Sequence, residues 1–145
     1  MNKNLTKRRV LFICTHNSAR SQTAQGLLTA LAGDRFEVES AGTEATSVRP
    51  EAVEAMRLRH IDITGQTSKT LDRFLDQPWD YVITVCDQAN EACPVFPGGQ
   101  QRLHWSFTDP SSFQGSPQER RDEFDRSADQ IEARITDWLR DLDPA

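Results

Sequence analysis

The run Arg8-Arg9-Val10-Leu11-Phe12-Ile13-Cys14 constrains the fold more than any other stretch of this chain. Its apolar residues are continuous rather than alternating, so an extended strand here hides both faces from water. A strand buried on both faces needs a sheet covered by helices, and the rest of the chain supplies them. Ala24, Leu27, Leu28 and Leu31 recur at helical spacing, which predicts a helix over 18–32 closed by Gly33 in the left-handed position. Phe36 to Ala41 alternates and reads as a second strand. Pro50 suits the first position of a helix over 50–60, and Trp79 to Cys86 and Arg102 to Phe107 read as two further strands. Ser116-Pro117-Gln118-Glu119 has the capping-box pattern. After it, Phe124, Ala128, Ile131, Ile135, Trp138, Leu139 and Leu142 form the core-facing stripe of a last helix. This order predicts an α/β chain with one open, mostly parallel sheet and helices on both faces.

With 145 residues, 37% hydrophobic and 27% charged, residues 1–145 are expected to form a single domain, with 1–7 a frayed leader. The longest apolar runs, Val10–Cys14 and Tyr81–Cys86, are too short to span a membrane. Five apolar residues after the basic N-terminal stretch are too few for a secretory signal. The net charge is −5, and residues 117–145 carry −4 of it through nine acidic side chains and five arginines. No basic face is left for nucleic acid. No apolar stripe remains once the core is assigned, so a monomer is expected. Three cysteines without a secretory signal point to the cytoplasm, and their odd number argues against a fixed disulfide framework.

The segment Cys14-Thr15-His16-Asn17-Ser18-Ala19-Arg20-Ser21 joins the first strand to the first helix. A turn in that position can converge its backbone N–H groups on an anion, and the positive end of a helix favours a thiolate. Cys14 is therefore the expected nucleophile, with Thr15, His16, Asn17, Ser18, Ala19, Arg20 and Ser21 forming an oxyanion cradle. Arg20 can grip two oxygens of a tetrahedral oxyanion, Ser21 can donate to the thiolate, and Asn17 tolerates a left-handed backbone. The bland alternative is a buried strand cysteine followed by a solvated arginine.

Cys86 ends the third strand as Cys14 ends the first, and the carboxyl ends of neighbouring strands make the functional edge of such a sheet. Strands lie about 4.8 Å apart and disulfides need Cα atoms about 4.4–6.8 Å apart, so Cys86 can approach Cys14. Cys93 follows in a polar segment ending in Pro94, Pro97, Gly98 and Gly99, which reads as mobile. Zinc is the rival reading. Its paired cysteines usually have about two to four residues between them, whereas six separate Cys86 from Cys93, so no metal is expected. Asp109-Pro110 follows the fourth strand, where Asp109 can protonate a leaving oxygen or merely cap a turn. His16 and His104 read as structural or as supports behind the site residues.

Cys14 to Ser21 resembles the C-x5-R-S phosphate loop of the low-molecular-weight protein tyrosine phosphatases. Ser40-Ala41-Gly42-Thr43, Ile61-Asp62-Ile63, Val82-Ile83-Thr84-Val85-Cys86, Cys93-Pro94 and His104-Trp105 are similar to segments of the thioredoxin-coupled arsenate reductases built on that fold. The likeness runs from about residue 8 into the last helix. It implies a four-stranded parallel sheet, no cofactor, and the following chemistry. Cys14 attacks arsenate held by the loop amides and Arg20 while Asp109 protonates the departing oxygen. Cys86 then attacks the arsenylated Cys14 and releases arsenite. Cys93 converts the Cys14–Cys86 disulfide to Cys86–Cys93, which thioredoxin reduces, with glutathione and glutaredoxin the rival reductant. Phosphate or sulfate would occupy the same loop.

The chain departs from that pattern at three positions. Ala19 stands where some members carry an extra loop cysteine. Gln25 and Lys69 stand where some hold potassium through acidic side chains, and the Lys69 ammonium is a candidate to take the ion's place. Two other functions compete. A phosphatase acting on phosphotyrosine or a small phosphoester needs only Cys14, Arg20 and Asp109, but the tyrosines usual after its Asp-Pro are here Ser111-Ser112-Phe113. A protein that sequesters arsenite on three thiolates needs neither Arg20 nor the loop.

Overall fold

The computed structural model describes residues 7–86 and 96–142. Strands β1 (Arg8–Cys14), β2 (Phe36–Gly42), β3 (Trp79–Thr84) and β4 (Gly99–His104) form one sheet in the order β2-β1-β3-β4, every pairing parallel. The helices are α1 (Arg20–Ala32), α2 (Pro50–Arg57) and α3 (Pro117–Leu142). Cys93 and most of the expected N-terminal leader lie outside the described residues. No helix among the described residues is long and apolar enough to cross a membrane.

The central position of β1 follows from its composition. Val10, Leu11, Phe12 and Ile13 are all fully buried. Successive strand residues point to opposite faces, so both faces of the sheet are covered at its centre. The last helix starts with the predicted capping box: the Glu119 N–H donates to Ser116 Oγ at 3.1 Å and the Ser116 N–H to Glu119 Oε1 at 2.8 Å. Its apolar stripe then fastens to the sheet. The Trp138 ring lies edge-on to Tyr81 and Trp105 at centroid separations of 5.0 and 5.7 Å.

The structure corrects five features of the expected elements. Helix α1 begins at Arg20 because Ser18 and Ala19 belong to the turn. Gly33 keeps a right-handed backbone, φ −63°, instead of closing the helix left-handed. A Cβ there would sit 2.5 Å from the Thr29 carbonyl oxygen, so crowding is what calls for glycine. Helix α2 stops at Arg57, short of residue 60, because His60 takes the left-handed conformation at φ 62°. The His60 and Ile61 N–H groups donate back to the Arg57 and Met56 carbonyls, a Schellman closure built on histidine.

Strand β4 occupies 99–104 instead of 102–107. It is the exposed edge strand, placed by its pairing from Trp79↔Gly99 to Thr84↔His104 rather than by apolar content. The apolar Trp105 and Phe107, which suggested a strand, reach the core from irregular backbone. Strand β3 also stops at Thr84, although the Val85 N–H still donates to the Ile13 carbonyl.

Candidate active site

At the carboxyl end of β1 the chain turns through residues 15–19 into α1. Gly42, which pairs with Cys14 in the sheet, makes the turn possible. A Cβ at Gly42 would lie 2.7 Å from the Thr15 carbonyl oxygen and 2.8 Å from the Asn17 nitrogen. Asn17 is left-handed, φ 51°, as its residue type allows. Its side-chain orientation is settled by its partners. Oδ1 accepts from Gln22 Nε2 and from the Lys69 N–H, each at 2.9 Å. Nδ2 therefore donates, to Ser21 Oγ at 2.8 Å and to Ser40 Oγ at 3.0 Å. Ser21 Oγ in turn lies 2.8 Å from Cys14 Sγ. Asn17 takes one lone pair of that hydroxyl, so the Ser21 proton is available to a thiolate at Cys14. Helix α1 has no side-chain cap, so its first-turn amides are available to an anion over the loop.

Arg20 opens α1 and its side chain is mostly buried. One guanidinium nitrogen donates to the Phe107 carbonyl at 3.1 Å and the other lies 3.5 Å from Asp109 Oδ2. Asp109 caps the turn with one oxygen and faces Arg20 with the other. Oδ1 accepts from the Ser111 N–H at 2.9 Å and the Ser111 hydroxyl at 2.7 Å, heading the turn Pro110–Ser112, while Oδ2 faces Arg20. Burial pushes the Asp109 carboxyl up. The Ser111 bonds and the charges of Arg20 and Arg49 outweigh it and hold the group below the usual carboxylate range. In the resting protein Asp109 is thus the ionised counter-ion of Arg20. A bound oxyanion competes for that guanidinium and adds negative charge, and both effects raise the proton affinity of Asp109.

Cys14 and Cys86 are free thiols, each 2% exposed. The register Ile13↔Thr84 and the bond from the Val85 N–H to Ile13 carry Cys86 alongside Thr15. Thr15 Oγ1 lies 3.3 Å from Cys86 Sγ. The Thr15 side chain thus faces the second thiol, a role its place in the cradle did not suggest. The His16 ring is half exposed, 3.7 Å from Glu44 Oε1, and its carbonyl accepts from Ser68 Oγ. His104 Nδ1 lies 2.8 Å from Thr84 Oγ1.

Among the described residues no group of three His, Cys, Asp or Glu is placed to hold a metal ion. At the two positions where the resemblance implies acidic potassium ligands in some members, Gln25 offers a neutral amide oxygen and Lys69 an ammonium, which repels a cation. Gln25 Oε1 accepts from the Ser40 hydroxyl at 2.6 Å, and Lys69 Nζ donates to the Thr67 carbonyl at 2.7 Å. Burial lowers the Lys69 pKa, with the Glu39 charge opposing it.

Sequence reasoning missed Gln22, Gly42 and Ser111. The signal for Gln22 was a large polar residue on the buried side of α1. The signal for Gly42 was the run of small residues Ser40-Ala41-Gly42.

The low molecular weight phosphotyrosine protein phosphatase family matches residues 9–145. An arsenate reductase of Halalkalibacterium halodurans is 44% identical over 131 residues, which is 90% of this chain and 94% of that one. A solved arsenate reductase in the phosphate-binding state superposes with a TM-score of 0.77 at 28% identity, covering 91% of this chain and 96% of the other. The thioredoxin-dependent arsenate reductase of Corynebacterium glutamicum superposes with a TM-score of 0.60 at 32% identity, covering 90% of this chain and 62% of the other.

Proposed function

Since the chain belongs to the low molecular weight phosphotyrosine protein phosphatase family and, within it, to the arsenate reductases, we propose that it reduces arsenate to arsenite with three thiols and is restored by thioredoxin. The observation that carries this reading is the second thiol. Cys86 Sγ lies 3.3 Å from the hydroxyl of Thr15, the residue next to the nucleophile. A phosphatase has no use for a thiol there, whereas a reductase needs one within reach of the first.

In the first step Cys14 attacks arsenic, an oxygen leaves as water with a proton from Asp109, and a sulfur–arsenic bond forms. The loop amides and Arg20 hold the remaining oxygens. Cys86, as thiolate, then attacks Cys14 Sγ. A sulfur–sulfur bond forms, the sulfur–arsenic bond breaks with its electron pair going to arsenic, and arsenite departs. Cys93 attacks the new disulfide at Cys86, which frees Cys14 and leaves Cys86 bonded to Cys93. Thioredoxin supplies the two electrons that reopen this bond. The same reading makes the protein a cytoplasmic monomer without a cofactor, and makes phosphate and sulfate competitors of arsenate.

Hydrolysis of a simple aryl phosphate would share Cys14, Arg20 and Asp109, so a weak phosphatase activity accompanies the reading. The test measures arsenite formed per enzyme with thioredoxin, thioredoxin reductase and NADPH, against hydrolysis of an aryl phosphate. Sustained arsenite production supports the relay. Aryl phosphate turnover with no arsenite makes the protein a phosphatase.

A further inference from the structure

We propose that Arg49 is a second cation of the oxyanion site, which draws in the tetrahedral dianion and retains it at the loop mouth. The proposal rests on the reading of the Cys14 loop as an oxyanion site. Arg49 lies in the connection between β2 and α2, and its main chain is fastened on both sides. Its N–H donates to the Ser18 carbonyl of the loop at 2.8 Å, and its own carbonyl accepts from the Ala52 and Val53 N–H groups at 3.0 and 3.2 Å. Behind it, Ala52 and Ala55 of α2 pack with Ala19 of the loop and Phe124 of α3. The Arg49 side chain therefore starts from a point held rigidly against the cradle. It is partly exposed, and among the described residues its guanidinium closes no hydrogen bond or ion pair. Its charge nevertheless reaches the Asp109 carboxylate, alongside that of Arg20.

The charge balance says what such a group does. Arg20 is already shared with Asp109 at 3.5 Å, so those two charges largely cancel before any ligand arrives. A thiolate and a dianion would then meet at a site whose remaining positive charge is the end of one helix, about half an elementary charge. A second guanidinium restores the balance and lets Asp109 stay beside the bound oxyanion. A cation acting by charge at a partly exposed position governs capture and retention of the anion and is screened by salt. It therefore acts on affinity and KM, whereas the two-pronged grip of Arg20 acts on the chemical step as well.

The experiment titrates inorganic phosphate into the reduced full-length protein at low and high sodium chloride, for wild type, Arg49→Gln and Arg49→Lys. Arsenate KM and kcat are measured on the same proteins. Arg49→Gln is expected to weaken phosphate binding and raise KM by about five- to tenfold, with kcat changed by less than about twofold, and salt is expected to narrow the gap. Arg49→Lys is expected to stay near wild type, because the charge rather than the fork carries the effect. If Arg49→Gln binds phosphate as wild type does, or if Arg49→Lys is as weak as Arg49→Gln, the proposal is overturned. Arg49→Met, which keeps the aliphatic stem, takes the place of the glutamine variant if that one unfolds. Wild type that binds no phosphate overturns the oxyanion-loop reading itself, and Arg49 with it.

Discussion

Strands β1 and β3 lie side by side in the sheet and carry their cysteines to the same edge, yet the two thiols sit in different surroundings. Each is 2% exposed. Around Cys14, Ser21 is aimed by Asn17, and Asn17 is held by Gln22, Ser40 and the backbone of Lys69. Cys86 Sγ lies instead beside the Thr15 hydroxyl, at 3.3 Å. Equal burial therefore goes with different polar partners, a serine backed by an asparagine for Cys14 and a threonine of the loop for Cys86. A nucleophile that must meet a tetrahedral substrate in one geometry needs a locked surrounding shell. A thiol that must first attack a neighbour and then be attacked in turn needs freedom to change partners.

Substitutions that separate the two thiols test this contrast. The largest effect belongs to Cys14→Ser, which should bring both arsenate reduction and aryl phosphate hydrolysis to background, because one nucleophile serves both. Steady turnover of either substrate by this variant would remove Cys14 from the mechanism. Cys86→Ser should lose arsenite production while keeping aryl phosphate hydrolysis. Cys93→Ser should release one arsenite per enzyme and then stall with Cys14 bonded to Cys86. Quenched single-turnover assays with peptide mapping read both outcomes, and repeated turnover of Cys93→Ser with thioredoxin would break the relay.

Smaller changes sharpen the comparison. Ser21→Ala removes a hydrogen bond to a charged sulfur, which contributes about 1.5–3 kcal/mol, so kcat/KM should fall at least about tenfold for both substrates. Thr15→Val should slow arsenite release alone, and an equal loss of aryl phosphate hydrolysis would show that Thr15 serves the first thiol instead. Asp109 makes a pH test possible. Its folded-state pKa is depressed, so the stability it contributes is present above the unfolded-state value of about 3.9 and is lost as pH falls through the folded-state value. The site is part-exposed and screened, so the contribution is below about 1 kcal/mol. Urea unfolding of wild type and Asp109→Asn should differ at neutral pH and converge on acidification. The smallest expected effect is none: exchanging potassium for sodium at constant ionic strength should leave activity unchanged, because Gln25 and Lys69 supply no carboxylate. A potassium-specific activation would show that neutral oxygens such as those of Asn17 and Ser40 suffice.

What could be read in the sequence divides along the same line. The cluster of Cys14, Arg20, Ser21 and the left-handed Asn17 was legible because it falls within eight consecutive residues between a strand and a helix. Asp109 was legible as a candidate only, since an Asp-Pro turn and an acid look alike until the orientation of each carboxylate oxygen is known. The edge strand β4 was misplaced because its exposed residues carry no apolar pattern and its position comes from β3. The end of α2 was missed because a histidine, not a glycine, took the left-handed position.

The sequence by itself determined the order of the strands and helices it could read, the burial of β1 on both faces, the capping box of α3 and the clustering of Cys14 to Ser21 in one strand-to-helix turn. These rest on periodicity, apolar content and contacts within a few residues, which any window of the chain contains. Only the tertiary structure decided that Asn17 aims Ser21 through partners as distant as Ser40 and the Lys69 backbone, that Thr15 turns to Cys86, and that Arg49 is pinned to the loop through Ser18. Those contacts depend on strand register and on how helices seat against the sheet. A slip of one residue in a strand sends every side chain to the other face, and local patterns cannot specify which long-range partners then meet.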